Sequence, residues 1–310
     1  MASVTLKVES RGKPIKALPK EIQVSPDAFA QEVYSRLATA SKFDIHRLRI
    51  TKSSDRGVVP NAKDTTVNDA GLQDQSVIQV KDLGPQIGWR TVFIIEYLGP
   101  LLIPALFLFP LRQNIYYNFD QPLPNPSDSQ LLVCALLSVH FLKREFETIF
   151  IHRFSNATMP ARNIFKNSAH YWLLAGFNIA YWVFRPDAAA ATDSPNENLV
   201  YAGLGLFVFS ELANLNAHLV LRNLRRAGTT ERGIPSGFGF GLVTCPNYLF
   251  EILAWVGVYL VSGLSWSVLF FIAVGGGQMA IWAAKKERRY RKEFGDKYKR
   301  KSFVMVPGIF

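Results

Sequence analysis

Cysteine is scarce in this chain of 310 residues, which contains only Cys134 and Cys245. Two cysteines so far apart provide neither a disulfide framework nor the paired ligand spacing of a zinc site, so we expect no bound metal. The amino terminus also lacks the apolar run that forms the core of a signal peptide. The first segment of the chain is therefore expected to remain in the cytosol.

A Rossmann fingerprint is missing as well. The segment Gly237–Gly241 alternates glycine with phenylalanine, but no predicted strand precedes it. A dinucleotide-binding glycine turn has to connect a strand to a helix, because the pyrophosphate is held at the helix N-terminus. We therefore interpret this segment as a flexible loop.

What the chain does contain is divided between two regions of different composition. Apolar residues make up 49% of the chain, although 35 lysines and arginines give it a net charge of +11. Residues 1–82 are polar and mixed in charge, whereas residues 92–284 are dominated by long apolar runs. We predict a cytosolic domain over residues 1–82, a linker over 83–89, and a membrane domain over 90–310 with a basic cytosolic tail.

The N-terminal region has the pattern of a small mixed domain. Alternating apolar residues predict strands at Val4–Val8, Ile22–Val24, Leu48–Ile50 and Val77–Val80, and Ser25-Pro26 is typical of a helix start. The order strand–strand–helix–strand–strand resembles the ubiquitin-like β-grasp. The chain continues past this region without a terminal Gly-Gly, so we expect a docking or packing domain and not a conjugated modifier.

The second region contains about six apolar runs, each near the length that a membrane-spanning helix requires. They cover residues 90–110, 130–150, 168–184, 198–221, 244–262 and 264–284. We therefore predict an all-α, polytopic membrane domain of about six transmembrane helices.

The charges of the loops predict the orientation of these spans. The loops at 143–167 and 222–243 are basic, and the tail from Lys285 to Lys301 carries ten lysines and arginines against three acids. Cytosolic loops are rich in Lys and Arg, so both termini are placed in the cytosol. The tail could bind anionic lipid headgroups or a multiply phosphorylated ligand, and no nucleic-acid partner is expected.

Polar residues recur on one face of the fourth apolar run. Glu211, Asn214, His218, Arg222 and Arg225 fall three or four residues apart, which places them on one side of a helix. Ionisable groups at membrane depth are costly, so they normally face a bundle interior or a cavity. We predict a functional site at the cytosolic end of this helix; the alternative is that these groups only join helices.

The next apolar run begins with Thr244-Cys-Pro-Asn-Tyr248 and contains Glu251. A tyrosine in the first turn of a helix could act as a general acid if charged neighbours adjust its acidity. The alternative role of Tyr248 is to anchor the helix at the membrane interface. Because Asn247 and Glu251 lie beside it, we favour the catalytic role.

Glu96 lies within the first apolar run, where a carboxyl group has to pair with a cation or be protonated. Lys143 or Arg144, at the end of the second run, could be its partner. His140, Arg144 and Glu147 share one helix face, so a ladder of ion pairs at the membrane interface is the structural alternative.

Several short motifs together resemble a known superfamily. Asn214–Arg225, Ile234-Pro235, Cys245–Glu251 and Arg289–Phe294 resemble the C-terminal domain of the steroid 5α-reductase superfamily. Within it, the N-terminal region and the motifs Asp82–Gly84, Glu96–Pro100, His152–Ser155, Thr158–Pro160 and Arg162–Asn167 are similar to the very-long-chain trans-2-enoyl-CoA reductase family. The resemblance covers essentially the whole chain.

This resemblance implies an NADPH-dependent enzyme of the endoplasmic reticulum membrane. Its reaction would be the last step of fatty-acid elongation, reduction of a very-long-chain trans-2-enoyl-CoA, also serving sphingolipid synthesis, with membrane lipids and other elongation enzymes as partners. Tyr248 would be the proton donor, with Glu96, Lys143 and Arg144 lining the catalytic cavity. The residues implied to bind NADPH are Asn214, His218, Arg222, Arg225, Asn247, Glu251 and Tyr290.

Two residues depart from the steroid-reducing members. His218 stands where those enzymes carry an aspartate, and Phe141 stands where they carry a tyrosine that polarises the steroid ketone. Three alternatives nevertheless stay open: a steroid or polyprenol reductase, a membrane methyltransferase of the isoprenylcysteine type, and a non-catalytic scaffold of the elongation machinery.

The predicted topology can be tested at a glycosylation sequon, Asn156-Ala157-Thr158. Because this sequon falls in a predicted cytosolic loop, we expect Asn156 to remain unmodified in cells that glycosylate secretory proteins. Electrophoretic mobility before and after endoglycosidase treatment measures this. A sequon engineered near Asp128, in a loop predicted to be luminal, is the positive control, and glycosylation at Asn156 would contradict the topology.

Overall fold

The computed structural model describes residues 3–117, 122–154, 157–192, 194–224 and 233–310. Asn156 of the sequon and Arg225 of the predicted cofactor-binding set lie outside the described residues. The chain forms two compact units, one of Met1–Trp89 with Asn156–Asn163 and one of Arg90–Ser155 with Ile164–Phe310.

The first unit contains a four-stranded sheet and one helix. The strands are β1 Val4–Ser10, β2 Glu21–Val24, β3 Leu48–Lys52 and β4 Val77–Asp82, and the helix is α1 Ala30–Ser41. The sheet order is β2-β1-β4-β3, with β1 and β4 parallel and the other pairs antiparallel. The predicted strands are confirmed, and the ubiquitin-like classification remains a prediction.

The core of this unit forms because each element has one apolar face. In β1, Leu6 is completely buried while its neighbours point outward, as the two-residue period of a strand requires. Val33 and Leu37, one turn apart on α1, are also completely buried. They lie in the same apolar cluster as Leu6 and Ile78, which is how the helix covers the sheet.

The predicted start of α1 at Ser25-Pro26 is wrong. The carbonyl oxygen of Ser25 instead accepts a hydrogen bond from the backbone N–H of Ala28 at 3.1 Å, which closes a turn. Phe29 then pairs with Thr66 in an isolated β-bridge, with an extended ψ of 142°. A residue held in extended backbone cannot be helical, so the helix begins only at Ala30.

The predicted linker carries a short strand of its own. Residues Gln86–Gly88 form β5, which pairs antiparallel with β6, Thr158–Pro160. Asp82 accepts a hydrogen bond from the backbone N–H of Gly84, and Gly84 has a positive φ of 75° that favours glycine. The chain therefore turns just before β5.

The second unit is helical. Its helices are α2 Trp89–Leu108, α3 Arg112–Tyr116, α4 Asp128–Phe146, α5 Asn163–Ala169, α6 Ile179–Val183, α7 Glu197–Asn223, α8 Pro246–Val261 and α9 Trp266–Phe294. Two π-helical segments, Glu147–Ile151 and His170–Asn178, extend α4 and join α5 to α6.

Three described helices are long and apolar enough to cross a membrane: Trp89–Leu108, Glu197–Asn223 and Trp266–Lys297. The other three predicted spans coincide with shorter or interrupted helices, namely α4, the α5–α6 segment and the 16-residue α8. The mostly helical second region is therefore confirmed, whereas the count of six spans remains a prediction.

Two glycines allow α7 and α8 to pack with their backbones in contact. A Cβ atom on Gly203 would lie 2.7 Å from the carbonyl oxygen of Gly257, and one on Gly257 would lie 2.6 Å from that of Gly203. Real Cβ atoms do not approach an oxygen so closely. Small residues at such crossings let helices approach closely inside a membrane, and here they bring the polar faces of α7 and α8 together.

This packing predicts that two neighbouring substitutions on α7 change the thermal stability differently. Gly203→Ala should lower the unfolding midpoint in detergent, because overpacking costs about 1–3 kcal/mol. Gly205→Ala on the same helix meets no atom within 4 Å, so it should be neutral or stabilise by up to about 1 kcal/mol. Thermal unfolding of both variants measures the difference, and equal midpoints would contradict the close α7–α8 contact.

Candidate functional site

The polar face predicted on α7 is buried. Glu211 is 7% exposed, Asn214 1% and His218 8%, although the helix as a whole is apolar. They lie three and four residues apart, so they point in one direction from the axis. Arg222, one turn further on, is half-buried, and Arg225 lies outside the described residues.

His140 on α4 connects this face to α8. Its Nδ1 lies 2.6 Å from Oε1 of Glu211, and its Nε2 lies 3.3 Å from Oε1 of Glu251. A carboxylate oxygen therefore faces each ring nitrogen, and only the doubly protonated imidazolium can interact favourably with both. His140 thus joins three helices through one buried ring.

Lys143, almost one turn after His140, reaches the same carboxylate. Its Nζ lies 2.8 Å from Oε2 of Glu211 and 3.3 Å from Oε1 of Glu147, and it donates a hydrogen bond to Oδ1 of Asn214 at 2.7 Å. The Asn214 amide nitrogen donates in turn to the carbonyl oxygen of Asn247 at 2.8 Å and to Glu251 at 3.2 Å. The Asn214 side chain therefore links α4 and α7 to the first turn of α8.

Arg144 completes the network on its other side. It donates to Oε2 of Glu147 at 2.7 Å and to the hydroxyl of Tyr97 at 2.9 Å. Nδ1 of His218 lies 3.0 Å from Oε1 of Glu147. The carboxylates Glu147, Glu211 and Glu251 are therefore balanced by Lys143, Arg144 and the imidazolium of His140.

The structure corrects the predicted partner of Glu96. Within the described residues neither Lys143 nor Arg144 contacts Glu96, because both are paired with other acids. Glu96 is 2% exposed, its Oε1 has no hydrogen-bond partner in the described part of the chain, and its carboxyl group forms a hydrogen bond with the side chain of Asn167. The residue that Arg144 contacts on α2 is Tyr97, the neighbour of Glu96.

Tyr248 lies beside the network and not within it. It is in the first turn of α8, as predicted, and Pro246 occupies the first helical position. Its ring packs against an apolar cluster that includes Cys245, Ala283 and Met305. Among the described residues its hydroxyl has no hydrogen-bond partner, so that proton is available to a bound molecule.

The residues proposed for the cofactor are placed in two groups. Asn214, His218 and Glu251 belong to the buried network, and Asn247 joins it through its backbone oxygen. Arg222 forms no ion pair within the described chain. Tyr290 lies on α9, where its buried ring packs against Tyr298 and Phe294.

Phe141 is a core residue. It is completely buried, and its ring centroid lies 4.9 Å from that of His140 and 6.0 Å from that of Trp255. The phenylalanine at this position therefore packs behind the network and offers no proton to a substrate.

Sequence reasoning missed the central role of His140, Glu147 and Tyr97. The i, i+4 and i+7 spacing of His140, Arg144 and Glu147 identified the face, but it could not show that the partners come from other helices. Tyr97 carried no distinguishing signal except its position next to Glu96.

One group in this region has the composition of a metal site. Glu147, His152 and His218 place one oxygen and two nitrogens within 4.8 Å of one another. Burial, aided by the charge of Arg144, lowers the pKa of His152 to about 3, so its ring is neutral at pH 7. However, Lys143 and Arg144 already pair with Glu147. Their two positive charges would repel a divalent cation, so we assign no metal here.

The network predicts that substitutions of Lys143 and Glu211 have non-additive effects on the free energy of unfolding. Lys143→Met removes the cation that faces Oε2 of Glu211 and leaves only His140 at Oε1, and breaking a buried pair from one side costs about 3 kcal/mol or more. Lys143→Met combined with Glu211→Gln should cost less than the sum of the two single variants, by about 1–3 kcal/mol. Denaturant unfolding in detergent measures this double-mutant cycle.

The matched control is the ion pair between Arg289 and Glu293 on α9, which is partly exposed. Arg289→Met and Glu293→Gln should cost at most about 1 kcal/mol each and combine additively. Additive losses at Lys143 and Glu211 as well would contradict the interaction of that pair.

Comparison with known proteins now places this site in a family. A protein-family profile described as 3-oxo-5-alpha-steroid 4-dehydrogenase matches residues 157–310. The chain is 41% identical to a very-long-chain enoyl-CoA reductase of Dictyostelium discoideum, over 89% of this chain and 90% of the relative. It is 43% identical to a candidate enoyl reductase of Schizosaccharomyces pombe, over 98% of this chain and 99% of the relative.

A more distant relative is a trans-2,3-enoyl-CoA reductase-like protein of Mus musculus, 30% identical over 77% of this chain and 66% of the relative. These matches extend along most of the chain, and they agree with the apolar helices of an integral membrane protein. The chain therefore belongs to the very-long-chain enoyl-CoA reductase family, within the steroid 5α-reductase superfamily.

Proposed function

We propose that this protein reduces very-long-chain trans-2-enoyl-CoA to the saturated acyl-CoA with NADPH, the last step of fatty-acid elongation. The names of its relatives support the reduction of an enoyl-CoA. The structural observation that carries the proposal is Tyr248, whose hydroxyl has no partner among the described residues and lies one helical turn from the buried network at Glu251.

Reduction of an enoyl thioester needs a hydride at Cβ and a proton at Cα. NADPH, when bound, supplies the hydride. The Tyr248 hydroxyl would donate the proton to Cα, because no described side chain engages it and it lies one helical turn from the charged network at Glu251. General acid catalysis of this kind contributes about 10²–10⁴-fold to a rate.

The buried network fixes the position of α8. It holds α8 against α4 and α7 through His140, Lys143 and Asn214, so Tyr248 is presented from a fixed helix. Fixed geometry matters because a displacement of about 1 Å can cost about 10²-fold in rate. Lys143 and Arg144 also provide cationic groups near the thioester oxygen, on which negative charge develops.

The side chains around the start of α8 fit a nicotinamide cofactor. Oδ1 of Asn247 is buried and has no hydrogen-bond partner among the residues that the structure describes, so it could accept from the carboxamide of the nicotinamide. Arg222, half-buried and unpaired within the described chain, suits a phosphate group, and we assign the same role to Arg225. Tyr290 would contact the cofactor from α9.

The proposal also includes the cellular location of the protein. We place the protein in the endoplasmic reticulum membrane with both termini in the cytosol, because the basic loops and tail are predicted to lie on one side. The acyl chain would lie among the apolar helices, and the N-terminal domain would serve to dock other elongation enzymes. Products of this reaction would also serve sphingolipid synthesis.

The decisive measurement is NADPH oxidation by the purified full chain in detergent with a long-chain trans-2-enoyl-CoA. We expect turnover by the wild type, with the saturated product identified by mass. In a folded Tyr248→Phe variant, kcat should fall by about 100-fold or more, because the ring remains but the proton is lost. Tyr259→Phe on the same helix is the matched control and should keep wild-type activity.

Full activity of Tyr248→Phe would move the proton donor elsewhere, and Glu96 would then be tested. No NADPH consumption by a folded wild type would refute the reductase and favour a scaffold. Binding of S-adenosylmethionine would instead favour a methyltransferase.

A further inference from the structure

The C-terminal segment Tyr298–Phe310, the part of the tail that follows α9, contacts the start of α8. The backbone N–H of Cys245 donates to the carbonyl oxygen of Val304 at 3.0 Å, and that of Thr244 donates to Phe303 at 3.4 Å. Val243 and Phe303 form a parallel β-bridge. The two residues that lead into the Tyr248 helix are therefore held by the tail.

The tail is folded on itself where it makes this contact. The N–H groups of Val304, Met305 and Val306 all donate to the carbonyl oxygen of Phe310, at 2.9–3.1 Å. Met305 is 4% exposed and shares an apolar cluster with Cys245, against which the Tyr248 ring also packs. The tail thus forms part of the wall around Tyr248.

A buried carboxylate ties the same place to α9. Oε2 of Glu287, which is 3% exposed, accepts hydrogen bonds from the Thr244 hydroxyl at 2.5 Å and from the Tyr298 hydroxyl at 2.6 Å. Burial raises the pKa of Tyr298 to about 12, so its hydroxyl keeps its proton at neutral pH and remains a donor. Glu287 therefore joins α9, the tail and the entry to α8.

The same contacts reach Tyr290. Its ring centroid lies 5.4 Å from that of Tyr298, and Tyr290 follows Glu287 by three residues on α9. Tyr298 consequently packs on one of the residues proposed to contact NADPH while it hydrogen-bonds the residue that holds Thr244.

The start of α8 needs such external support. Helix N-termini leave N–H groups without intrahelical partners, and a Ser, Thr, Asp or Asn side chain usually caps them. The N-cap of α8 is Cys245, which makes no side-chain cap hydrogen bond. Thr244 and Cys245, the residues that precede the first turn, are held instead by hydrogen bonds with Glu287 and the tail, which fixes where Asn247 and Tyr248 begin the helix.

We propose that Glu287 and the segment Tyr298–Phe310 form a clamp that positions the first turn of α8 relative to Tyr290. They are positioning residues, since none of them is placed at the reacting atoms. The inference rests on the proposed function for the roles of Tyr248 and Tyr290. The clamp fixes the proton donor with respect to the cofactor, and its loss lowers turnover before it unfolds the protein.

The test compares Glu287→Leu with Glu287→Gln in the full chain in detergent. Both hydrogen bonds go to one oxygen, so the Gln variant can keep them through its amide oxygen, whereas Leu removes them at similar volume. We expect Glu287→Leu to lower kcat by about 10- to 100-fold. The Gln variant should stay within about threefold of the wild type, as should the control Glu293→Gln on the partly exposed side of α9.

Hydrogen exchange of the peptide covering residues 243–249 gives a readout that does not depend on turnover. We expect loss of protection there in Glu287→Leu and after deletion of residues 303–310, but not in Glu287→Gln. If Glu287→Leu does not fold, Tyr298→Phe, which removes one of the two hydrogen bonds, should show a smaller change in the same direction.

Wild-type protection of residues 243–249 in Glu287→Leu would overturn the clamp. Equal losses in the Leu and Gln variants, spread over all of α8 and α9, would overturn it too, because they indicate general destabilisation. If the wild type does not reduce an enoyl-CoA, the proposed function fails, and the exchange at residues 243–249 still decides whether the clamp exists.

Discussion

The imidazolium of His140, held between Glu211 and Glu251, is the interaction on which the second unit depends. Glu147 and Glu211 are buried and Glu251 is half-buried among apolar helices, where an unpaired charge would cost several kcal/mol. Lys143, Arg144 and His140 neutralise them, and the three cations all come from α4. The helices can therefore occupy only the arrangement that brings α7 and α8 to α4, and the Gly203–Gly257 crossing permits the close approach that this requires.

In this arrangement the polar network fixes the helices, and Tyr248 lies beside the network. Lys143, Asn214 and Glu251 use their polar atoms on one another, so they define where α8 lies. Tyr248 emerges from the same helix with a hydroxyl that no described residue engages. On the proposed function, such a site keeps the proposed proton donor free while the surrounding charges stay satisfied, which suits a reaction that has to exclude water.

The tail adds a second support at the N-terminal end of α8. The buried network acts on Glu251 and on the backbone of Asn247, whereas Glu287 and the tail act on Thr244 and Cys245. The first turn of α8 is thus held by both sets of contacts, while no described side chain caps it. The position of Tyr248 therefore depends on residues 39 to 62 positions further along the chain, from Glu287 to Phe310.

Periodicity in the sequence determined the strands β1–β4 and the shared face of Glu211, Asn214 and His218, because these features depend on local spacing, and the Thr244–Tyr248 motif placed Tyr248 in the first turn of α8. The tertiary structure determined which residues these side chains contact. His140 meets Glu211 across 71 positions, Lys143 pairs with Glu211 and not Glu96, and α1 starts at Ala30 because Thr66 holds Phe29 extended. The return of the tail to Cys245 had no sequence signal either. A repeat of 2 or 3.6 residues reports which side chains share a face, but only packing determines what that face meets.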